Sequence, residues 1–138
     1  METYTISPIG IIHTPYKSRE QAPRQAAYSN GAKAIIDIYP KYLEGLKGLA
    51  EKKYIIVLFY FNRNKDYRLT ARPPGQDHRR GIFATRSPHR PNHLGMSVVR
   101  LEKVEGTRIY VRDVDMLDGT PVIDIKPYVA DLDCRQDK

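Results

Sequence analysis

The sequence predicts a mainly all-β domain, a barrel or a sandwich, with one short helical insert around residues 40–53. Three observations predict it. Short runs of β-branched and aromatic residues recur along the chain, and such residues favour a pleated, half-buried surface. Gly- and Asp-centred turn sequences separate the later runs. Strands do not alternate with long helical patterns, so βα units and a parallel sheet are not expected. The 138 residues, 41% hydrophobic and 28% charged, suffice for one hydrophobic core but not two, so residues 1–138 are expected to form a single compact domain.

Taken in order, Tyr4 to Ile12 reads as an extended segment that Pro8 confines to an edge or a bulge. Ala34 to Tyr39 has the β-branched content of a strand. Pro40 then stands where a helix can begin, and Leu43, Leu46 and Leu49 mark one helical face through about Lys53. Tyr54 to Phe61 is the most apolar run and the expected central strand; it is far too short to span a bilayer as a helix. Met96 to Val104 and Arg108 to Val111 flank Glu105-Gly106-Thr107, a hairpin turn. Asp118-Gly119 turns the chain into Pro121 to Ile125, and the polar tail 131–138 is expected to fray.

Charge is distributed unevenly. The chain carries a net +7, of which residues 1–62 hold +3, residues 63–90 hold +6 and residues 91–138 hold −2. Seven of the eight bases in the central stretch are arginines, the side chain suited to bidentate phosphate and carboxylate contacts and to stacking on bases. A solvated loop is the plain alternative. The N-terminus lacks the basic-then-apolar order of a signal peptide, so a cytoplasmic protein is expected. Cys134 is the only cysteine, which excludes an internal disulfide and any Cys-rich zinc site.

Familiar chemistry is largely missing. No Gly-x-Gly-x-x-Gly follows a strand and no Gly-x-Ser-x-Gly elbow is present. His89 and His93 have helical spacing for a metal, but Pro88 and Pro91 break any helix there, so no metal is expected. Asp113, Asp115 and Asp118 gather at a strand end, where Asp113 and Asp115 would share a face; turn formation accounts for them without a cation. The segment from Gly81 to Ser97 interleaves Arg, Ser, Thr and Asn with rigid prolines between Gly81 and Gly95, glycines that suggest sharp bends or close approach. These features describe a preorganised basic loop for an anion or a nucleotide.

Four blocks in order carry a resemblance: Ile9–Tyr16 with Pro23-Arg24-Gln25, then Arg72-Pro73-Pro74, then Arg80–Ser97, then Asp115–Tyr128. Together they resemble the TsaA-like, or TrmO, family over almost the whole chain. The resemblance implies a compact β-barrel, usually a homodimer. It also implies S-adenosyl-L-methionine as cofactor and methylation of N6-threonylcarbamoyladenosine at position 37 of tRNA, beside the anticodon loop. Carried over by motif, the cofactor would be held by Pro23, Arg24, Gln25, Phe61, Asn62, Arg86, Leu94, Gly95, Met96, Leu117, Asp118, Gly119 and Thr120. Arg90, Asn92 and His93 would face the RNA, and Arg90 or Arg72 would take the threonyl carboxylate. Arg63, Lys65, Arg68, Arg79 and Arg80 suit phosphate contacts. Many relatives carry a His where this chain has Phe61-Asn62; Asn62 donates and accepts hydrogen bonds but is no base near neutral pH, and no general base is assigned. The extra C-terminal domain of some relatives has no room in 138 residues. The same barrel and cofactor with a small metabolite or another RNA, or a non-catalytic RNA-binding barrel, are the alternative readings.

Overall fold

The computed structural model describes residues 1–23 and 31–136. Strands β1 (Gly10–His13), β2 (Lys33–Ile38), β3 (Tyr54–Tyr60), β6 (Leu94–Glu105), β7 (Arg108–Arg112) and β8 (Thr120–Pro127) close into an antiparallel barrel in the order β1-β2-β7-β6-β3-β8. Closure resolves the choice between barrel and sandwich, and it removes the unpaired sheet edges. A two-stranded ladder, β4 (Thr70–Ala71) with β5 (Arg80–Gly81), stands apart from it.

The period-2 pattern fills the interior. Ala34, Ile36 and Ile38 of β2, Ile55, Val57 and Phe59 of β3, Val99 and Leu101 of β6, and Ile109 and Val111 of β7 are all buried. Such barrels are filled by alternating inward side chains, so an isoleucine trimmed to alanine here costs about 2–5 kcal/mol. Gly10 is required by space: a Cβ there would collide with the Asp37 carbonyl across the β1–β2 pair. Glu105 pairs with Arg108, leaving Gly106 and Thr107 as a two-residue hairpin loop with Gly106 at φ +61°, a conformation open to glycine at that first position.

Several expectations need correction. The first strand begins only at Gly10, because residues 1–7 are exposed and lie outside the barrel. The insert occupies its expected place but winds as two 3-10 segments, Pro40–Leu46 and Leu49–Glu51, interrupted at Gly48 with φ +83°. Of the three leucines, Leu46 and Leu49 pack on the core on either side of that break, while Leu43 is exposed. Asp113 and Asp115 do not share a strand face, since β7 ends at Arg112 and Asp113 turns the chain at φ +66°. In the tail, Ala130–Asp133 forms a single helical turn, α1, whose Val129 N–H donates to Asp133 Oδ2. No helix among the described residues is long and apolar enough to cross a membrane.

Candidate functional site

Between β3 and β6 the chain makes a 33-residue excursion, 61–93, that its own polar groups hold rigid. The Arg68 N–H donates to the His89 carbonyl, Ile82 N–H to Leu69, and Phe61 N–H to His93. Pro73-Pro74-Gly75-Gln76 closes a turn with Gly75 at φ +78° and Gln76 N–H on the Pro73 carbonyl, the geometry of a type II turn with Pro and Gly in their preferred places. Near the cleft, the Thr85 hydroxyl donates to the Ile82 carbonyl and accepts from Ser87 N–H, and the Ser87 hydroxyl accepts from His89 N–H. Ile82, 1% exposed, anchors the excursion. This is why a segment so polar and rich in proline has one conformation.

The excursion roofs a cleft of about 700 Å³ beside the end of β3 and the start of β6, within the range of small-molecule sites. Its floor is apolar: Leu58, Phe59, Phe61, Leu94, Met96, Met116 and Leu117. Leu58 pairs with Met96, Phe59 with Gly95, and Tyr60 with Leu94. A register shift between Leu58 and Phe59 in the β3–β8 ladder lets two consecutive residues reach one cleft, because a bulge re-aims side chains. Gly95 must lack a side chain, since a Cβ would stand 2.5 Å from the Phe59 ring and 2.8 Å from that of Phe61. Gly81, by contrast, has φ −59° and open space around it, so it marks neither a sharp bend nor a close approach.

Of the residues the sequence brings forward for the cofactor, Pro23, Phe61, Asn62, Arg86, Leu94, Gly95, Met96, Leu117 and Thr120 line this cleft. Arg24 and Gln25 fall outside the described residues. Asp118 and Gly119 are not among the lining residues; they sit in the supporting turn. The Asp118 carboxylate accepts from Thr14 N–H at 3.0 Å and from Lys17 Nζ at 2.7 Å, and Gly119 N–H donates to the Ile12 carbonyl. Arg63 binds the Lys17 and Asp118 carbonyls, which straps the start of the excursion to the 117–120 turn.

The Lys17 hydrogen bond, then the Thr14 amide, hold the Asp118 carboxyl below its usual range. A depressed carboxylate stabilises the fold above its ordinary value of about 3.9, and that stabilisation is lost as pH falls through the lowered one. Asp118→Asn is therefore expected to cost about 1 kcal/mol near neutral pH, and its difference from the parent protein is expected to shrink as pH falls below the ordinary carboxylate range, read by thermal melts across acid pH.

The candidates for RNA contact separate by position. Arg72, Arg68, Arg63 and Arg90 line the cleft. Arg72 is exposed and, among the described residues, makes no hydrogen bond or ion pair. Arg90 is half-buried, and its Nη1 already donates to the Thr85 and Ser87 carbonyls at 2.9 and 3.2 Å. Lys65 and Arg80 are exposed beyond the cleft, and Arg79 is fixed on Thr70 through Oγ1 and the carbonyl. Asn92 is exposed and does not line the cleft. His93, 8% exposed, lies beneath the excursion, its Nδ1–H on the Pro88 carbonyl at 3.0 Å and its ring against Tyr60; it supports the loop from below. Burial, with Arg68 and Arg19 nearby, lowers the His89 pKa, so that ring is neutral near pH 7 and accepts from the Asn64 amide.

Arg19, Leu58, Phe59, Thr85, Ser87, Asp115 and Met116 also line the cleft without having been singled out for it. Asp115, which accepts from the Ser97 hydroxyl at 2.6 Å, is the one carboxylate in the lining among the described residues. Asp115 and Met116 open the Asp115–Tyr128 segment that carries the resemblance, so a signal existed. Leu58 and Phe59 read as strand core, and the bulge that aims them at the cleft has no mark in the sequence. Among the described residues, no three His, Cys, Asp or Glu side chains gather to hold a metal ion.

The fold and the site define a class: a small closed barrel whose apolar-floored, arginine-rimmed cleft has the dimensions of a small-molecule site beside a cationic loop. More particularly, the chain belongs to the TrmO family: the model of the tRNA-methyltransferase O N-terminal domain matches residues 11–134. A probable S-adenosyl-L-methionine-binding protein of Pyrococcus abyssi is 44% identical over 129 residues, which cover 94% of this chain and 70% of that one. A tRNA (adenine(37)-N6)-methyltransferase of Mus musculus is 40% identical over 136 residues, covering 94% of this chain and 32% of the mouse protein. The crystal structure of TrmO from Pseudomonas aeruginosa matches with a TM-score of 0.84 at 37% identity, over 99% of this chain and 61% of that one. The chain thus spans less than two thirds of the solved TrmO chain and about one third of the mouse enzyme.

Proposed function

We propose that this chain is an S-adenosyl-L-methionine-dependent methyltransferase that acts on adenine 37 of tRNA, with N6-threonylcarbamoyladenosine as the acceptor. The observation that carries the reading is convergence. Segments far apart in sequence, Phe61-Asn62, Arg86, Leu94-Gly95-Met96 and Leu117 with Thr120, meet around one cleft of about 700 Å³.

The donor set fits the cofactor. The apolar floor, with the Phe59 and Phe61 rings packed closely over Gly95, suits a flat base and methylene groups. Arginines on the rim suit a carboxylate, and Asp115 suits positive charge. When bound, the cofactor supplies a methyl group already activated on a sulfonium. The chain's own contribution is alignment, worth up to ~7–11 kcal/mol when it is good. Phe59, Phe61 and Met96 hold the floor, the strapped 117–120 turn closes one wall, and the excursion roofs the cleft. No side chain has to serve as a strong base, because the acceptor nitrogen lies between adenine and a carbonyl and its proton is more acidic than that of a plain amine.

The rim also favours the threonylcarbamoyl group over plain adenine. Arg72 is exposed at the mouth of the cleft and uncommitted among the described residues, and a carboxylate taken out of water needs such a partner. The test is nucleoside mass analysis after incubating the protein and cofactor with tRNA bearing or lacking the threonylcarbamoyl group. Methylation confined to the modified tRNA is expected. Equal methylation of both would remove the acceptor assignment, and methylation of neither would remove the transferase reading.

A further inference from the structure

The cationic excursion also carries apolar side chains that the fold leaves in water. Tyr67 is 56% exposed, Leu69 66% and Phe83 78%. The β4–β5 ladder brings Leu69 beside the Ile82–Phe83 turn: Thr70 pairs with Gly81, Ala71 with Arg80, and Ile82 N–H donates to the Leu69 carbonyl. Phe83 is therefore one residue from the position facing Leu69, and Tyr67 stands two residues before Leu69 on the approach to β4. Ile82 is buried beneath, so the ladder is rooted in the fold while the residues around it project outward.

Basic side chains surround this patch. Arg68 lies between Tyr67 and Leu69, Arg80 is exposed on β5, and Arg79 is held upright by its two bonds to Thr70. A face meant for another protein's apolar core would be depleted of charge at its centre. Rigid aromatics interleaved with arginines match instead the platforms on which unstacked bases rest while cations follow the phosphates.

We infer that Phe83 and Tyr67 form a base-stacking platform for single-stranded RNA at the mouth of the cleft, with Arg68, Arg79 and Arg80 on the flanking phosphates. The inference rests on the tRNA reading above and adds to it how the loop bases are gripped. Duplex stems, whose bases are stacked and paired, have nothing to offer such a surface; a loop does. The platform therefore selects looped RNA without reading its sequence.

Fluorescence anisotropy with a labelled stem-loop RNA, and with a duplex of the same stem, tests this. Phe83→Ala is expected to weaken stem-loop binding about tenfold and to leave duplex binding unchanged, while Phe83→Tyr restores it. The joint Arg79→Ala, Arg80→Ala change should weaken both RNAs and flatten the salt dependence. Phe83→Ala with unaltered stem-loop affinity, or with equal losses on both RNAs, overturns the platform. So does sedimentation showing that Phe83→Ala splits a dimer, which would make this face a contact between copies. Calorimetric binding of S-adenosylmethionine by the same variants, expected to be unchanged, shows that the barrel is intact. Failure of the unaltered protein to methylate tRNA would overturn the parent reading, a result separate from any of these.

Discussion

Gly95→Ala is expected to weaken S-adenosylmethionine binding by roughly 5- to 150-fold, the equivalent of the ~1–3 kcal/mol that overpacking costs. The added methyl would stand 2.5 Å from two atoms of the Phe59 ring and 2.8 Å from Phe61. Phe59 has no room to yield inward, since it is 4% exposed and packed in the barrel core. It is also held edge-on to Phe61, with ring centroids 5.1 Å apart. Relief has to come from the cleft side, where the rings form the floor. Calorimetric titration with the cofactor measures the loss, and a thermal melt shows how much of the strain the barrel itself absorbs. Phe59→Leu in the Gly95→Ala background should recover part of the affinity by vacating the contested space. An alanine variant that binds as the parent does would mean that the ligand lies elsewhere.

Arg72→Ala is expected to raise KM for threonylcarbamoylated tRNA by about 10- to 150-fold, the range for a hydrogen bond to a charged partner. Its kcat and cofactor affinity should change little, because Arg72 is bonded to nothing else among the described residues. Its position is set by the chain: it follows β4 and precedes Pro73, and a residue before proline is confined to extended conformations. Arg90→Ala should behave differently. Its guanidinium holds the Thr85 and Ser87 carbonyls, so removing it loosens the roof and lowers cofactor affinity together with RNA affinity. Arg90→Lys should rescue only in part, since both bonds come from Nη1 and the lysine ammonium ends one bond short of that position. Steady-state kinetics with modified tRNA, alongside cofactor titrations, separates the two arginines. An unaltered KM in Arg72→Ala would assign the carboxylate to another group.

Much of the site was legible because its residues are neighbours in sequence. Leu94-Gly95-Met96 and Arg86 stand in the Arg80–Ser97 block, Phe61-Asn62 ends the most apolar run, and the cleft lining contains each of them. Other roles depended on partners far along the chain. Asp118 looks like a turn residue or a ligand contact until Thr14 and Lys17, more than a hundred residues earlier, are seen on its carboxylate. His93 looks like an RNA contact until the Pro88 carbonyl and Tyr60 close over it. Arg63 and Arg90 look like free cations until loop carbonyls take their donors.

By itself the sequence did not determine the start of β1 or the β4–β5 ladder, but it did determine most of the barrel strands, the hairpin at Gly106, the place of the insert and the concentration of arginine in residues 63–90. Each of these follows from local pattern: period-2 burial, turn chemistry, or simple composition. The closed barrel, which local pattern left open against a sandwich, is the fold that the family resemblance implied; only the tertiary structure decided that the insert winds as 3-10 turns and which arginines are spent on the loop. It also decided that Leu58 and Phe59 face one cleft. Those outcomes depend on long-range pairing, where a single bulge or a distant carbonyl acceptor changes what a side chain meets without changing the residues beside it.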